Sequence, residues 1–391
     1  MTENEDTTEN ENQKKTRLDE NQKKIREYLR EKYNNDSIEW PSGIKVKLEP
    51  KKKDFDTVTL ILGKKAIGAA DKDNKNMQDN AACFEGWAVA LRAAKNNMKI
   101  ILKVESGLHD FKIEEDGTIN ENGHYGRFLY RALRFWEQYG GKGGWFELDS
   151  TLEGVVNAFS AFLNDNTLKN NVPDNIAGKN GKIECYIEAL MAVKEKNAFL
   201  RSLENAGCHV EKDKKVYRQL PVGLFLNEVK EGNQVFTGGA SAIDLWTMND
   251  NVLQVVELKA NNKMVGIITE IFFYSNYMYD LLINKKDKDE NVFLLTPPNP
   301  KFVDKDPEKN RGYDILYNNA KKIEKIEGIM LADIYHPLIT PDVYHPLVTP
   351  DVLGVLNAGS KYDEIKYFKA EYDFDVTIKQ KQTDTMTSSL F

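Results

Sequence analysis

Residues 235–282 read VFTGGASAIDLWTMNDNVLQVVELKANNKMVGIITEIFFYSNYMYDLL, and this stretch decides the fold. Two apolar runs of strand length lie on either side of Asn249, Asp250 and Asn251, which have the chemistry of a turn. A pattern typical of a helix follows the second run. The stretch therefore predicts a β-hairpin followed by a long helix.

The hairpin carries charged residues within its apolar strands. Asp244 lies in the first strand, and Glu257 and Lys259 lie in the second. Because strand side chains alternate between faces, Glu257 and Lys259 project to the same side, and the hairpin brings Asp244 beside them. Two acids and a lysine on one face of an otherwise apolar sheet are costly to bury unless they bind a ligand. A divalent cation is the natural candidate.

This arrangement resembles the PD-(D/E)XK nuclease superfamily, whose sites place an Asp and an (Asp/Glu)-X-Lys triplet on adjacent strands. The matching residues are Ile243-Asp244 and Glu257-Leu258-Lys259, with Ile243 in place of the proline of the family name. The resemblance covers roughly residues 182–297. It implies an α/β fold class, with a restriction-endonuclease-like core in which a mixed sheet is flanked by helices.

The resemblance also implies roles for these residues. Asp244 and Glu257 would hold Mg²⁺, for which Mn²⁺ could substitute. Lys259 would orient the attacking water or stabilise the negative charge that develops on the phosphorus centre. The implied cofactor is therefore a divalent metal ion, and the implied reaction is hydrolysis of a phosphodiester bond.

Two further glutamates complete the expected site. The superfamily often adds a glutamate from the helix before the first core strand, and Glu188, one helical turn after Glu184, is the candidate here. A subset of the superfamily carries Gln-X-X-X-Tyr on the helix after the lysine strand. This chain has Glu270 and Tyr274 at that spacing, which leaves the role of the glutamine position open.

A less specific interpretation of the triplet is a surface ion pair, since Glu-X-Lys is common by chance and would contribute little on an exposed strand. Three features favour the nuclease-like core. Both strands are apolar on their other face, the small residues Ala240 and Ala242 share the face of Asp244, and the order of a helix, three strands and a helix suits the superfamily.

Composition describes an ordinary globular protein. The chain has 391 residues, of which 41% are hydrophobic and 29% charged, and no apolar run approaches the twenty residues of a membrane span. We therefore expect no membrane partner. Three scattered cysteines do not make a disulfide framework or a zinc cluster, so the expected location is the reducing cytoplasm.

The predicted organisation has three parts. Residues 1–36 form a disordered acidic tail and a surface helix, residues 37–178 an N-terminal α/β recognition or regulatory domain, and residues 179–391 the nuclease-like domain. Residues 164–181, rich in Asn, Asp and Gly, are the predicted linker. A long helix is expected over 182–206 and a strand over 291–296.

The charge distribution leaves the nucleic-acid contact open. The net charge of −7 does not favour phosphate binding, although part of the excess lies in the acidic tail. Arg127, Arg131 and Arg134 follow one another at i, i+4 and i+7 on a predicted helix. They could contact a phosphate backbone, but we favour a solvated helix face.

The function that the resemblance implies is a metal-dependent endonuclease acting on DNA, by fold analogy a restriction or phage-defence effector. One alternative is an RNA-cleaving nuclease of the same fold. Another is a non-catalytic nucleic-acid-binding or assembly subunit, which the negative net charge favours. A partner protein or a homo-oligomer could supply the nucleic-acid surface.

Overall fold

The computed structural model describes residues 18–50, 54–119, 121, 123–173, 183–211, 213–261, 264–286, 290–301, 311–339, 351–358 and 360–372, with the backbone alone at 237–240. The predicted disorder of residues 1–13 and the predicted boundary between 178 and 179 lie outside these ranges. No helix in the described part of the chain is long and apolar enough to cross a membrane.

The N-terminal half forms a four-stranded mixed sheet covered by helices. Its elements are α1 (Glu20–Tyr33), β1 (Ile44–Glu49), β2 (Thr57–Leu62), α2 (Lys64–Ile67), α3 (Phe84–Ala94), β3 (Lys99–Val104), α4 (Gly123–Tyr139), β4 (Phe146–Leu148) and α5 (Ser150–Asp165). The order is β1-β2-β3-β4; β1 is antiparallel to β2, and the other pairs are parallel. Strand β1 alternates buried and exposed residues along its length, so one face points to the core and the other to solvent.

The second half forms a six-stranded mixed sheet. Its elements are β5 (Leu168–Asn170), α6 (Ile183–Ala192), α7 (Lys196–Asn205), β6 (Tyr217–Leu226), β7 (Gln234–Asn249), β8 (Val252–Lys259), α8 (Gly266–Leu282), α9 (Tyr313–Asn319), β9 (Lys325–Ala332), α10 (Val352–Ala358) and β10 (Ile365–Glu371). The order is β10-β9-β8-β7-β6-β5, with β8, β9 and β10 parallel and the remaining neighbours antiparallel. The fold is thus mixed α/β, with two mixed sheets flanked by helices, as predicted.

Helix α8 lies between the two halves of the fold, and every one of its residues is buried. The ring of Phe272 on α8 lies 5.2 Å from that of Phe135 on α4, and Tyr130 on α4 lies 5.2 Å from Phe236 on β7. These residues belong to one hydrophobic core that extends through both sheets. A smaller core on the other face of β8 lies under α6 and α7. The two halves therefore share a core.

Several elements differ from the sequence expectations. The helix expected over 182–206 is two helices, α6 and α7, separated near Lys194. Residues 291–296 make only isolated bridges at Asn291 and Leu294, so the predicted strand is wrong. The predicted linker contains β5, which pairs with β6 and buries Leu168. The predicted surface helix is α1, whose Ile25 and Leu29 are fully buried against the first half of the fold.

Candidate functional site

The hairpin of β7 and β8 places the predicted site residues on adjacent strands. The strands pair from Asn249 opposite Val252 to Leu245 opposite Val256, with Asp250 in the left-handed region at the turn (φ 50°). The next position along this register sets Asp244 against Glu257. The ladder does not continue there, and the Asp244 carboxylate accepts the Leu258 N–H at 2.8 Å instead. The carboxylate thus lies where the two strands separate.

Lys259 lies at the centre of the site. Its Nζ donates to Glu257 Oε1 at 2.5 Å and lies 2.8 Å from Glu270 Oε2 on α8. All three side chains are buried, with 3%, 4% and 6% of Glu257, Lys259 and Glu270 exposed. The structure therefore brings Glu270, a candidate site residue from the following helix, against the Glu-X-Lys triplet.

The site contains more acidic than basic side chains in a largely buried environment, and this shifts the pKa values of Glu257, Asp244 and Lys259. Burial, together with Asp244 and Glu270, raises the pKa of Glu257 well above its usual value. Burial raises the pKa of Asp244 to about 7, although Lys259 opposes this shift. Burial alone would lower the pKa of Lys259, but Glu257, Glu270 and Asp244 raise it well above its usual value. The lysine is therefore held as a cation beside two carboxyl groups, those of Asp244 and Glu257, whose pKa values are raised.

Glu188 approaches the same site from α6. Only 3% of this residue is exposed, and burial followed by the charge of Asp244 raises its pKa well above the usual value. Arg218 on β6 acts in the opposite direction on the same carboxyl group. Glu188, Asp244, Glu257, Lys259 and Glu270 thus form one electrostatic cluster, which we call the acid cluster.

Strand β6 also borders the acid cluster through a strained residue. Gln219 lies between the pairs Arg218–Leu245 and Leu220–Ile243, in line with Asp244. Its φ of 54° is in the left-handed region, which is unfavourable for a residue with a side chain. Such strain often accompanies functional sites. The sequence did not identify Gln219 as a residue that borders the site, because the register of strand pairing cannot be derived from one sequence.

Buried carboxylate oxygens provide the test of whether a metal ion fits this site. Among the described residues, Oε2 of Glu188, Oε2 of Glu257 and Oε2 of Glu270 are buried and accept no hydrogen bond. The Glu270 oxygen has its ion pair with Lys259 but not the geometry of a hydrogen bond. Unpaired buried carboxylate oxygens are costly, and hard divalent cations prefer such ligands. The residues present therefore fit a divalent cation.

A second group of possible ligands lies elsewhere. His209, Glu211 and Asp250 could approach one ion near the hairpin turn. His209 and Asp250 are exposed and Glu211 is partly buried, and Glu211 already pairs with Lys214 at 2.6 Å. Exposed acidic groups of this kind are common without an ion. We therefore place the candidate site at the acid cluster.

The arginine stripe on α4 is not a solvated face, and that expectation is wrong. Arg127, Arg131 and Arg134 are 4%, 2% and 6% exposed. Arg131 pairs with Glu85 at 2.6 Å, and Arg134 pairs with Asp280 at 2.8 Å. Because carboxylates already occupy Arg131 and Arg134, the stripe as a whole does not follow a phosphate backbone either.

The acid cluster predicts a pH-dependent stability in the absence of metal. Because the pKa of Asp244 is raised from 3.8 to about 7, the folded state binds more protons than the unfolded state between these values. The free energy of unfolding should therefore fall as pH rises from about 4 to about 8, by at most about 4 kcal/mol from this group. Glu257 and Glu188 contribute with the same sign.

Urea denaturation in EDTA across this pH range measures the effect. Asp244→Asn should flatten the decline, whereas Asp250→Asn, at the hairpin turn, should leave it as in the parent. A parent protein whose stability rises over the same range would contradict the electrostatics described above.

With the site described, the chain can be compared with known proteins. Comparisons with protein-family models, with curated proteins and with solved structures find no match to it.

Proposed function

We propose that the protein is a metal-dependent nuclease that hydrolyses phosphodiester bonds in DNA. The observation that carries the proposal is the acid cluster around Lys259, in which one buried oxygen of Glu188 and one of Glu257, the Oε2 atom in each, accepts no hydrogen bond. A structural ion pair would satisfy its oxygens. Carboxylates that each keep one buried oxygen without a hydrogen bond beside a buried lysine are instead suited to hold a cation and a charged substrate.

The residues divide the chemistry between them. Asp244 and Glu257 would hold Mg²⁺ or Mn²⁺, with Glu188 as a further carboxylate on the α6 side. The ion supplies a Lewis acid and an activated water. Lys259 keeps its proton, because three acids raise its pKa, and it presents positive charge where negative charge develops on the phosphate. Glu270 holds the lysine from the α8 side and fixes its position.

Access to the site runs past Asp244. This residue, Ala242 and Arg218 are partly exposed, whereas Glu257, Lys259 and Glu270 are buried behind them. A phosphodiester group would therefore meet Asp244 first and the lysine behind it.

The test is an incubation of the pure protein with supercoiled plasmid in Mg²⁺, in Mn²⁺ and in EDTA. We expect nicked or linear product with either metal ion and none in EDTA. Parallel reactions with single-stranded DNA and with RNA distinguish DNA cleavage from the RNA-cleaving alternative.

A non-catalytic assembly role has one observation in its favour, the net charge of −7. Absence of cleavage in every reaction, together with a melting temperature that millimolar Mg²⁺ does not raise, would replace the nuclease proposal by this alternative.

A further inference from the structure

Arg127 differs from the other two arginines of α4. No carboxylate among the described residues pairs with its guanidinium, although Arg131 pairs with one and Arg134 with two. Its contacts are instead neutral acceptors: Ser241 Oγ at 3.4 Å, Asn76 Oδ1 at 3.2 Å and His124 Nδ1 at 2.9 Å. Burial and the neighbouring Arg127 lower the pKa of His124, so the ring is neutral and accepts the bond. A buried cation with only neutral partners is unusual.

The position of Arg127 follows from the close approach of α4 to β7. A Cβ at Gly126 would lie 2.0 Å from the Val235 carbonyl oxygen, so only glycine allows α4 this close to the strand. The next residue, Arg127, then reaches Ser241, which is three positions before Asp244 on β7. The glycine thus brings the guanidinium to the strand that carries the acid cluster.

Charge connects Arg127 to the acid cluster. Burial and Arg131 lower the pKa of Arg127 to about 10, while Tyr274 and Glu270 on α8 act to raise it. Ser241 and His124 are partly exposed and Asn76 is exposed, so the guanidinium lies just below the surface that they form. An anion arriving over Ser241 would meet this cation, on which the charge of Glu270 in the acid cluster also acts.

We propose that Arg127 binds a non-bridging phosphate oxygen of the substrate, so that α4 of the N-terminal half supplies a cation to a site built from β7, β8 and α8. This inference rests on the proposed function. Carboxylates repel a phosphodiester, and a guanidinium provides paired donors matched to phosphate geometry. In the free protein its hydrogen bonds to neutral groups hold the side chain in place without neutralising the charge that the phosphate needs.

The test compares Arg127→Gln, Arg127→Lys and, as a charge-matched control, the exposed Arg201→Gln on α7. We expect kcat/KM on plasmid to fall about 100-fold or more in Arg127→Gln, to recover partly in Arg127→Lys and to stay within twofold of the parent in Arg201→Gln. The melting temperature separates this role from a structural one. Removing a buried cation that has no acid partner should leave stability unchanged or raised, whereas a structural arginine would lower stability together with activity.

Inorganic phosphate serves as a second probe that does not depend on cleavage. In EDTA, phosphate should raise the melting temperature of the parent and of Arg201→Gln, but not that of Arg127→Gln. A parent that cuts plasmid while Arg127→Gln cuts equally well would overturn this inference and leave the nuclease proposal standing. A parent that cuts nothing but shows the phosphate effect, lost in Arg127→Gln, would retain the anion site and remove the nuclease.

Discussion

Asp244→Asn and Glu257→Gln should abolish metal-dependent cleavage and weaken metal binding, whereas Lys259→Ala should greatly slow cleavage with metal affinity nearly intact. The two acids would be ligands, and loss of a ligand should weaken binding about 100-fold or more, beyond the effect of outer groups. The lysine is a cation beside the ion, so its removal takes away stabilisation of developing charge and should slow cleavage about 10³-fold. Plasmid nicking and calorimetric titration with Mg²⁺ measure the two properties separately.

The control for this series is Asp250→Asn. Asp250 is an exposed member of the second group of possible ligands, with His209 and Glu211, and asparagine tolerates its left-handed backbone. We expect this variant to bind metal and cleave like the parent. If it alone loses metal binding, the ion belongs at the hairpin turn and not at the acid cluster. If all four variants cut like the parent, the nuclease assignment is wrong.

The hairpin and its charged residues could be predicted because their signals are local. Turn residues separate two strand-like runs, and the two-residue period of a strand places Glu257 and Lys259 on one face. The helix that follows carries Glu270 at a fixed distance along the chain. The sequence therefore named Glu270 as a candidate on this helix, whereas its contact with Lys259 is visible only in the structure.

The features that sequence reasoning missed depend on distant partners. An arginine on an amphipathic helix is normally exposed, so the stripe on α4 suggested a solvated face. Its burial becomes visible only through Glu85 on α3 and Asp280 on α8, which lie 46 and 146 residues away. One sequence contains no signal that pairs residues so far apart.

The strand errors have a related cause. The apolar run at 291–296 does indicate burial, since Val292 and Phe293 are in the core. Burial alone does not create a ladder, and this segment has no adjacent strand in register apart from single bridges. In contrast, β10 carries two lysines three positions apart among apolar residues, which is a weak local signal, and its pairing with β9 is parallel and not local. Whether a segment forms a strand therefore depends on the strands that lie beside it in the sheet, and a single sequence does not reveal these.

The largest stability effect should follow from Arg131→Met, because it leaves the Glu85 carboxylate in a place where none of its surface is exposed. Glu85 on α3 receives two hydrogen bonds from Arg131 on α4, at 2.7 and 2.6 Å, and one from Thr269 on α8 at 3.0 Å. Breaking a buried pair on one side typically costs about 3–5 kcal/mol. Urea denaturation at neutral pH measures the loss, which is a large part of a typical folding free energy.

The double variant Glu85→Leu with Arg131→Met tests whether the loss of stability comes from the unpaired Glu85 carboxylate. Replacing both partners by apolar groups removes the unpaired charge, so most of the stability should return and the coupling energy should exceed about 2 kcal/mol. Lys45→Ala, which breaks the exposed pair with Glu105, should cost less than about 1 kcal/mol. A small effect of Arg131→Met would mean that α3, α4 and α8 are not held together by this network. Since those helices belong to both halves of the chain, a large effect that shifts one single urea transition would instead show that the halves unfold as one cooperative unit.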